Sequence, residues 1–247
     1  MQKIKEIYRS NYSGENIVTE LTYEKGEWAP VTEHIPNVVF NTHTTSQAIA
    51  IGNGQSRLGF DLKFIANHKG GLLAVDKLQS YGCNGLYRDF APDFLVAVGS
   101  AIIEEIANSG YTTDNIVYTN AQYLSKYPGK FYIVPQNPTL DAGALALYLA
   151  CFDGHTKIYL MGYDGNQGLE PVNNVYKDTA GYPASTIMEN NTLFWSKSLI
   201  NVMTAYPMVD FVRVAPNANY WMDSELAKLP NLRQIDFRQF VLEADIG

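Results

Sequence analysis

The chain has 247 residues, of which 46% are hydrophobic, 13% aromatic and 17% charged, a composition that predicts a folded protein with a substantial core. Its formal net charge of −7 argues against nucleic acid or an anionic membrane as the main partner, because either would require a basic surface. Two cysteines, Cys83 and Cys151, and four histidines exclude a disulfide framework and argue against a metal site of His and Cys ligands. We therefore expect no bound metal.

The first residues lack the apolar stretch of a signal peptide, and the longest apolar runs are far shorter than the ~20 residues that span a bilayer. The sequence therefore predicts a soluble protein without a membrane span, in a reducing, cytoplasmic compartment.

Residues 1–47 are polar and lack a sustained period, which predicts an irregular N-terminal extension. The segment from Ile17 to Tyr23 alternates between apolar and polar residues and predicts a strand. Pro30 and Pro36 are expected to interrupt the chain after this strand, so that a short hairpin would pack on the body of the protein.

From residue 48 onward, short continuous apolar runs alternate with helical patterns. Runs of this kind are typical of strands that are covered on both faces, as in parallel sheets. The pattern predicts an α/β fold, a Rossmann-like doubly wound and mostly parallel sheet over 48–247, with a loop or lid at 165–184. The predicted strands lie at 48–51, 71–75, 94–98, 115–118, 131–134, 158–161 and 211–214, the predicted helices lie at 100–108, 142–152 and 189–205, and 232–246 is predicted as a strand followed by a short helix.

Four segments carry the candidate site residues. Gly52, Asn53, Gly54 and Ser56 follow the first strand, where they form either a nucleotide-binding turn or an ordinary tight turn. Asn84 can both donate to and accept from a ribose or a base edge, whereas the adjacent Cys83 is predicted to be a small core residue. The other candidates are Asp141 and Gly143, where the helix at 142–152 begins, and Asp164, which follows a strand as a ligand-binding carboxylate or as part of an Asp-Gly turn.

Together these segments resemble the small bacterial sialyltransferases that use CMP-sialic acid, and the wider Rossmann-like group of motility accessory factors and 6-hydroxymethylpterin pyrophosphokinase-like proteins. The resemblance covers about residues 48–165. It lies in Gly-Asn-Gly-Gln-Ser at 52–56, Cys-Asn-Gly-Leu-Tyr at 83–87, Asp-Ala-Gly at 141–143 and Ile-Tyr-Leu-Met-Gly-Tyr-Asp at 158–164. The sequence also resembles uncharacterised proteins encoded by marine cyanobacterial viruses, which would place it in the host cytoplasm.

The resemblance implies a glycosyltransferase that moves a sugar from a CMP-sugar-like donor to the hydroxyl of a carbohydrate acceptor, without a further cofactor. The donor would be held by Asn53, Ser56 and Asn84, with its phosphate near Gly143. Tyr176 and Tyr182 would bind the phosphate, and Asp164 or one of these tyrosines would assist the chemistry.

Three departures from the family pattern keep other functions open. Gln55 replaces a proline, Asp141 stands near a serine, and no histidine follows His155, which is itself predicted to lie at the surface. The carboxylates of Asp164, Glu170 and Asp178 remain as candidate bases.

The main alternative function is a non-catalytic module that binds carbohydrate or serves assembly, for example in a virus particle. Magnesium-dependent pyrophosphoryl transfer to a pterin-like alcohol is a third option. The oligomeric state stays open, and a homo-oligomer is among the choices.

Overall fold

The computed structural model describes residues 2–9, 16–35, 45–65, 75, 77–165, 173–182 and 192–247, with the backbone alone for nearly all of 2–35. Of the predicted elements, the strand at 71–75 falls outside these residues apart from Val75. The described residues also leave out Glu189–Asn191, Glu170 and parts of the predicted loop at 165–184.

The N-terminal extension contains a three-stranded antiparallel sheet in the order β1-β2-β3. Its strands are β1 (Gln2–Arg9), β2 (Asn16–Glu24) and β3 (Glu27–Ile35). The alternating segment from Ile17 to Tyr23 lies within β2, as predicted. The expected interruption at Pro30 is wrong: Pro30 lies inside β3 and pairs with Leu21. Because β3 is an edge strand in this sheet, it accommodates a residue that has no N–H to donate.

The body of the protein is an eight-stranded sheet in the order β11-β10-β9-β4-β5-β6-β7-β8, and all of its described strand pairs are parallel. The sheet begins at Gln47, one residue before the predicted start. Its strands are β4 (Gln47–Ile51), β5 (Gln79–Cys83), β6 (Phe94–Val96), β7 (Ile116–Thr119), β8 (Tyr132–Ile133), β9 (Lys157–Met161), β10 (Asp210–Ala215) and β11 (Leu232–Asp236).

Helices cover both faces of the sheet, which confirms the predicted doubly wound α/β fold. One buried cluster joins Ala48 and Ala50 of β4 to two of the helices, and a second joins Ile49 and Ile51 to the other three. Successive strand residues point to opposite faces, so β4 is buried on both. The helices are α1 (Ser100–Ser109), α2 (Ala121–Leu124), α3 (Ala142–Phe152), α4 (Thr192–Ala205) and α5 (Phe237–Glu243), with α3 and α4 on the first face and α1, α2 and α5 on the second.

The direction of winding reverses beside β4. The chain proceeds from β4 through β5 and β6 to β8 on one side, and then returns through α3 to place β9 on the other side of β4. The crevice beyond the carboxyl ends of β4 and β9 is therefore a topological switch point, the place where open α/β sheets bind ligands.

The apolar runs located β4, β6, β7, β8, β9 and β10 but not β5. Its sequence, Gln-Ser-Tyr-Gly-Cys, contains no apolar run, yet all five residues are buried. Ser80 is buried because its backbone N–H and hydroxyl both donate to Asp93, at 2.8 Å each. Only the family resemblance pointed to a strand that ends at Cys83.

Within the described part of the chain, no helix combines the length and apolar character that a membrane crossing would require.

Candidate functional site

A cleft of about 260 Å³ opens at the switch point, at the carboxyl ends of β4, β5 and β9. It brings together most of the residues that the sequence singled out, although they are far apart along the chain. The lining consists of Gly52, Asn53 and Gly54 after β4, Cys83 and Asn84 after β5, Asp141, Ala142 and Gly143 at the start of α3, Gly162, Tyr163, Asp164 and Gly165 after β9, Asn173, Asn174 and Tyr182 from the segment 173–182, and Phe194 and Trp195 from α4.

The glycines after β4 lie directly against the loop that follows β9. Gly52 N donates to Met161 O at 2.8 Å, and Gly54 N donates to Gly162 O at 2.9 Å. A Cβ atom on Gly52 would lie 2.5 Å from Gly162 O, and one on Gly54 would lie 2.5 Å from Asp164 Oδ2. The close packing of the two loops is thus sufficient to explain both glycines.

Asp164 joins three elements beneath the cleft. Its Oδ2 accepts from Ser56 N at 2.7 Å, and its Oδ1 accepts from Ser56 Oγ. Arg213 of β10 places Nη2 3.8 Å from Asp164 Oδ1, and both side chains are almost fully buried. Burial lowers the pKa of the Arg213 guanidinium, and Asp164 opposes that effect. Both Asp164 oxygens, and the Ser56 side chain, are therefore engaged by the protein itself.

Of the two polar atoms in the Asn53 side-chain amide, the nitrogen is hydrogen-bonded and the oxygen is not. Its Nδ2 donates to Cys83 O at 3.2 Å and to Tyr182 Oη at 3.1 Å. Its Oδ1 is buried and has no hydrogen-bond partner among the described residues, and the residue as a whole is only 9% exposed. A buried polar atom without a partner is rare in native structures, and in a cleft it marks a point where a ligand can donate.

Asn84 is held by its backbone and by its own side chain. It adopts φ 46°, a left-handed conformation that asparagine tolerates better than most residues. Its Oδ1 accepts from Val98 N at 3.0 Å. Because no described residue accepts from Asn84 Nδ2, this group remains as a donor in the cleft.

Asp141 caps the N-terminus of α3, as the sequence predicted. Its Oδ1 accepts from Ala144 N at 3.0 Å, while Oδ2 is buried and has no well-formed hydrogen bond from a described residue. Burial raises the pKa of this carboxyl, and hydrogen bonding from Ala144 N and the Ser198 hydroxyl works in the opposite direction. Gly143 O accepts from Tyr163 Oη at 2.7 Å, so Gly143 lies in the lining beside the cap.

The two tyrosines of the predicted lid have different positions. Tyr182 lines the cleft, and its hydroxyl oxygen accepts from Gly85 N at 2.7 Å as well as from Asn53 Nδ2. Tyr176 is not part of the described lining. It is buried, it donates to Asp89 Oδ1, and it accepts from Arg57 Nη2 at 2.8 Å. Burial raises the pKa of both hydroxyls above the ordinary tyrosine value.

The segment 173–182 is fastened to the body by Arg88. This guanidinium forms a two-pronged ion pair with Glu105 of α1, at 2.8 and 2.6 Å, and donates to Thr179 Oγ1 and Ala180 O. It also lies 5.4 Å from the ring centroids of both Tyr176 and Tyr182, within the range of a cation–π contact.

Gln55 attaches the other end of the same segment. Its backbone N–H donates to Asn173 Oδ1 at 3.0 Å. A proline at this position, as in the family pattern, has no N–H and could not make this bond. Asp178, one of the carboxylates considered as a base, is exposed and is absent from the described lining.

Two other predictions concern the thiol and the histidine. Burial raises the pKa of the Cys83 thiol to about 12, so the group remains a neutral core thiol, as predicted. The predicted surface position of His155 is wrong: the residue is 1% exposed, with Nε2 3.0 Å from the hydroxyl of Tyr81. Its turn precedes β9, so it lies at the opposite edge of the sheet from the cleft.

The sequence analysis missed an aromatic wall formed by Phe194 and Trp195 at the start of α4. Phe194 is 44% exposed, and a Cβ atom on Gly165 would lie 2.7 Å from the Trp195 ring. Both residues were predicted only as parts of the helix at 189–205. Because adjacent residues can share the apolar stripe of a helix, the sequence carried no signal that Phe194 faces outward.

The described lining contains carboxylates and amides but no Lys, Arg or His. Asp164 is balanced by Arg213, which leaves Asp141 as the carboxylate of this lining without a described cationic partner. No cluster of three or more His, Cys, Asp or Glu that would suit a metal ion occurs within the described residues.

The fold and the cleft define a Rossmann-like α/β protein with a candidate ligand site at its topological switch point. No protein-family model, curated protein or solved structure matches the chain with significance.

Proposed function

We propose that the protein is a nucleotide-sugar-dependent glycosyltransferase, which moves a sugar from a CMP-sugar-like donor to an acceptor hydroxyl. The observation that carries the proposal is the unpartnered Oδ1 of Asn53, in a switch-point cleft that Asn84 and Tyr182 also line. These groups supply one acceptor and two donors, which suits the hydroxyls and base edge of a nucleoside.

The charge of the cleft favours a donor with a single phosphate. No cation belongs to the described lining, and the Ala144 N–H at the start of α3 is already taken by Asp141. A CMP-sugar carries one phosphate charge, whereas a nucleoside diphosphate sugar carries two. The single charge costs less to place beside a carboxylate, and the Tyr182 hydroxyl, which has no described acceptor, can donate to it.

A nucleotide panel tests donor binding directly. Calorimetry with CMP, UMP, UDP, GDP and ATP should detect CMP or a related monophosphate. Asn53→Ala should weaken that binding by about 5- to 30-fold, the effect of losing one or two hydrogen bonds of ~1 kcal/mol each. Asn115→Ala is the matched control, since Asn115 Nδ2 donates to Tyr111 O and Asn115 does not belong to the described lining of the cleft. Absence of binding by every nucleotide at millimolar concentration would contradict the proposal.

A second candidate function is a carbohydrate-binding module without catalysis. It is favoured by the combination of neutral amides with the exposed aromatic wall of Phe194 and Trp195, since aromatic faces offer large contact area to the apolar faces of sugar rings. Binding of oligosaccharides without nucleotide, together with no release of nucleotide from any sugar donor, would support the module over the transferase.

A further inference from the structure

We propose that Asp141 is the general base of the transfer reaction, an assignment that rests on the proposed function. The Asp141 carboxylate takes the proton of the acceptor hydroxyl as the acceptor oxygen bonds to the anomeric carbon of the donor sugar. The bond between that carbon and the phosphate oxygen breaks, and its electron pair leaves with the nucleotide. The proton remains on Asp141 until it is passed to solvent.

The two oxygens of Asp141 are unequal in the way that this role requires. Oδ1 accepts from Ala144 N at 3.0 Å, and this bond fixes the orientation of the carboxylate. Oδ2 has no well-formed hydrogen bond from any described residue, and the neighbouring Ser198 hydroxyl, which also acts on this carboxyl, is the group that a substrate hydroxyl would replace. A base that is oriented by one oxygen and reactive at the other is prepared for proton transfer.

The other candidate groups are committed elsewhere. Asp164 has Ser56 on both oxygens and Arg213 nearby. Tyr176 is bound to Asp89 and Arg57, outside the described lining. The hydroxyl oxygen of Tyr182 already accepts two hydrogen bonds, which leaves it better suited to donate than to accept a proton.

Asp141 also occupies the appropriate place in the cleft. Asn53 and Asn84 line the cleft from the loops after β4 and β5, whereas Phe194 and Trp195 line it from α4. Ser198, on the same helix as the aromatic wall, is close enough to affect the Asp141 carboxyl. Asp141 therefore shares one cleft with the proposed nucleotide subsite and lies near the helix that carries the aromatic wall, which suits an acceptor sugar. The unpartnered Asn53 Oδ1 provides independent evidence that a ligand enters this cleft.

The surroundings of Asp141 shift its pKa in the direction that a general base requires. The ionisable groups nearest in electrostatic effect are Cys83 of β5 and Tyr163 after β9, with the neutral Ser198 hydroxyl on α4. Burial raises the pKa of both Cys83 and Tyr163, so neither carries charge near pH 7. Burial likewise raises the pKa of Asp141 itself, which moves a carboxylate toward the range of an effective base.

The test compares Asp141→Asn with Asp236→Asn. Both aspartates cap a helix, and Asp236 does so through Oδ1, which accepts from Gln239 N at 2.8 Å at the start of α5. Asparagine caps about as well as aspartate, so both substitutions should preserve the cap. The full chain is assayed for nucleotide release from CMP-N-acetylneuraminate, UDP-glucose and GDP-mannose, with lactose or water as acceptor. Calorimetry with CMP is run on each variant, and circular dichroism checks the fold.

We expect Asp141→Asn to lower kcat by about 10²- to 10⁴-fold, as for loss of a general base, with the Kd for CMP changed less than about threefold. The acid limb of the wild-type rate profile should be lost in this variant, whereas Asp236→Asn should behave as wild type. Turnover by Asp141→Asn within tenfold of wild type would overturn the assignment and leave the transferase intact. If no donor is turned over, the assignment of Asp141 and the transferase function are both overturned. Calorimetry then shows whether the protein still binds a nucleotide or binds none.

Discussion

Asp141 and Asp164 lie in one cleft, but their surroundings give them different properties. Asp164 is hydrogen-bonded through both oxygens and lies near a buried guanidinium, so its carboxylate serves to hold the surrounding elements together. Asp141 has one oxygen without a well-formed hydrogen bond, and burial raises its pKa. The difference follows from the groups that each carboxylate contacts and not from the residue type.

The raised pKa of Asp141 makes stability depend on pH. The folded protein holds this proton more tightly than the unfolded chain, so the contribution of Asp141 to the free energy of unfolding falls as pH rises above ~3.9, the ordinary value for aspartate. Asp141→Asn retains the cap but cannot ionise. In urea unfolding, we expect this variant to lose less stability than wild type between pH 4 and 7, and to be at least as stable as wild type at pH 7.

Asp236→Asn provides the control for this prediction, because it makes the same chemical change at an exposed cap. A pH dependence of Asp141→Asn identical to that of wild type would show that Asp141 titrates as an ordinary surface carboxyl.

Gly52 permits the contact between the loops after β4 and β9. Gly52→Ala would place a Cβ atom 2.5 Å from the Gly162 carbonyl oxygen. Since the obstruction is backbone, the loops must separate, and we expect a loss of about 3 kcal/mol in the free energy of unfolding. Gly143→Ala is the control, because its Cβ atom would meet nothing closer than 3.3 Å. Urea denaturation should show it within about 1 kcal/mol of wild type.

At the scale of elements, the segment 173–182 depends on a few side-chain bonds. Arg88 connects it to α1 through Glu105, and Asn173 connects it to the loop after β4. Because this segment carries Tyr182 into the cleft, the ion pair between Arg88 and Glu105 positions a candidate ligand-binding residue without touching the ligand.

Breaking this ion pair should loosen the segment. We expect Glu105→Gln to increase amide hydrogen exchange in 173–182 about tenfold, which corresponds to ~1.4 kcal/mol for weakened charge-assisted hydrogen bonds. Glu243→Gln is the matched control, since Glu243 forms a similar two-pronged pair with Arg233 at 3.1 and 2.7 Å but lies on α5. Equal exchange in both variants would mean that other contacts hold the segment.

At the scale of the whole molecule, the N-terminal sheet and the eight-stranded sheet are separate hydrogen-bonded units. Cα atoms of β1 come within 8 Å of those of β8, so the two sheets meet at one edge. Two buried clusters, formed by residues between Ala48 and Ala244, cover both faces of the larger sheet, so this sheet and its helices contain a substantial core.

A chain of residues 45–247 should therefore fold without the N-terminal sheet. We expect cooperative thermal unfolding by circular dichroism, with a Tm within about 5 °C of the full chain, equivalent to ~1–2 kcal/mol. Deletion of residues 230–247 is the control: it is shorter but removes β11 and the fully buried Phe240, and should prevent cooperative unfolding. Failure of 45–247 to fold would show that residues 1–44 complete the core.

The local sequence was sufficient for most of the fold, because buried parallel strands are continuous apolar runs and the buried helix α3 is apolar on every side. It was insufficient at β5, where a buried serine and glycine are stabilised by Asp93 and by neighbouring side chains. It also misplaced His155, because the burial of a polar residue depends on a partner, here Tyr81, that is distant along the chain.

The candidate site divides in the same way. The local pattern identified the ends of the strands that precede Asn53 and Asp164, and the family resemblance added Asn84, Asp141 and Tyr182; all five residues line the cleft. Only the tertiary structure decided that both oxygens of Asp164 are occupied, that Tyr176 turns toward Arg57, and that Phe194 forms part of the lining. Position along a strand follows from local pattern, whereas the availability of a polar atom depends on which distant groups reach it.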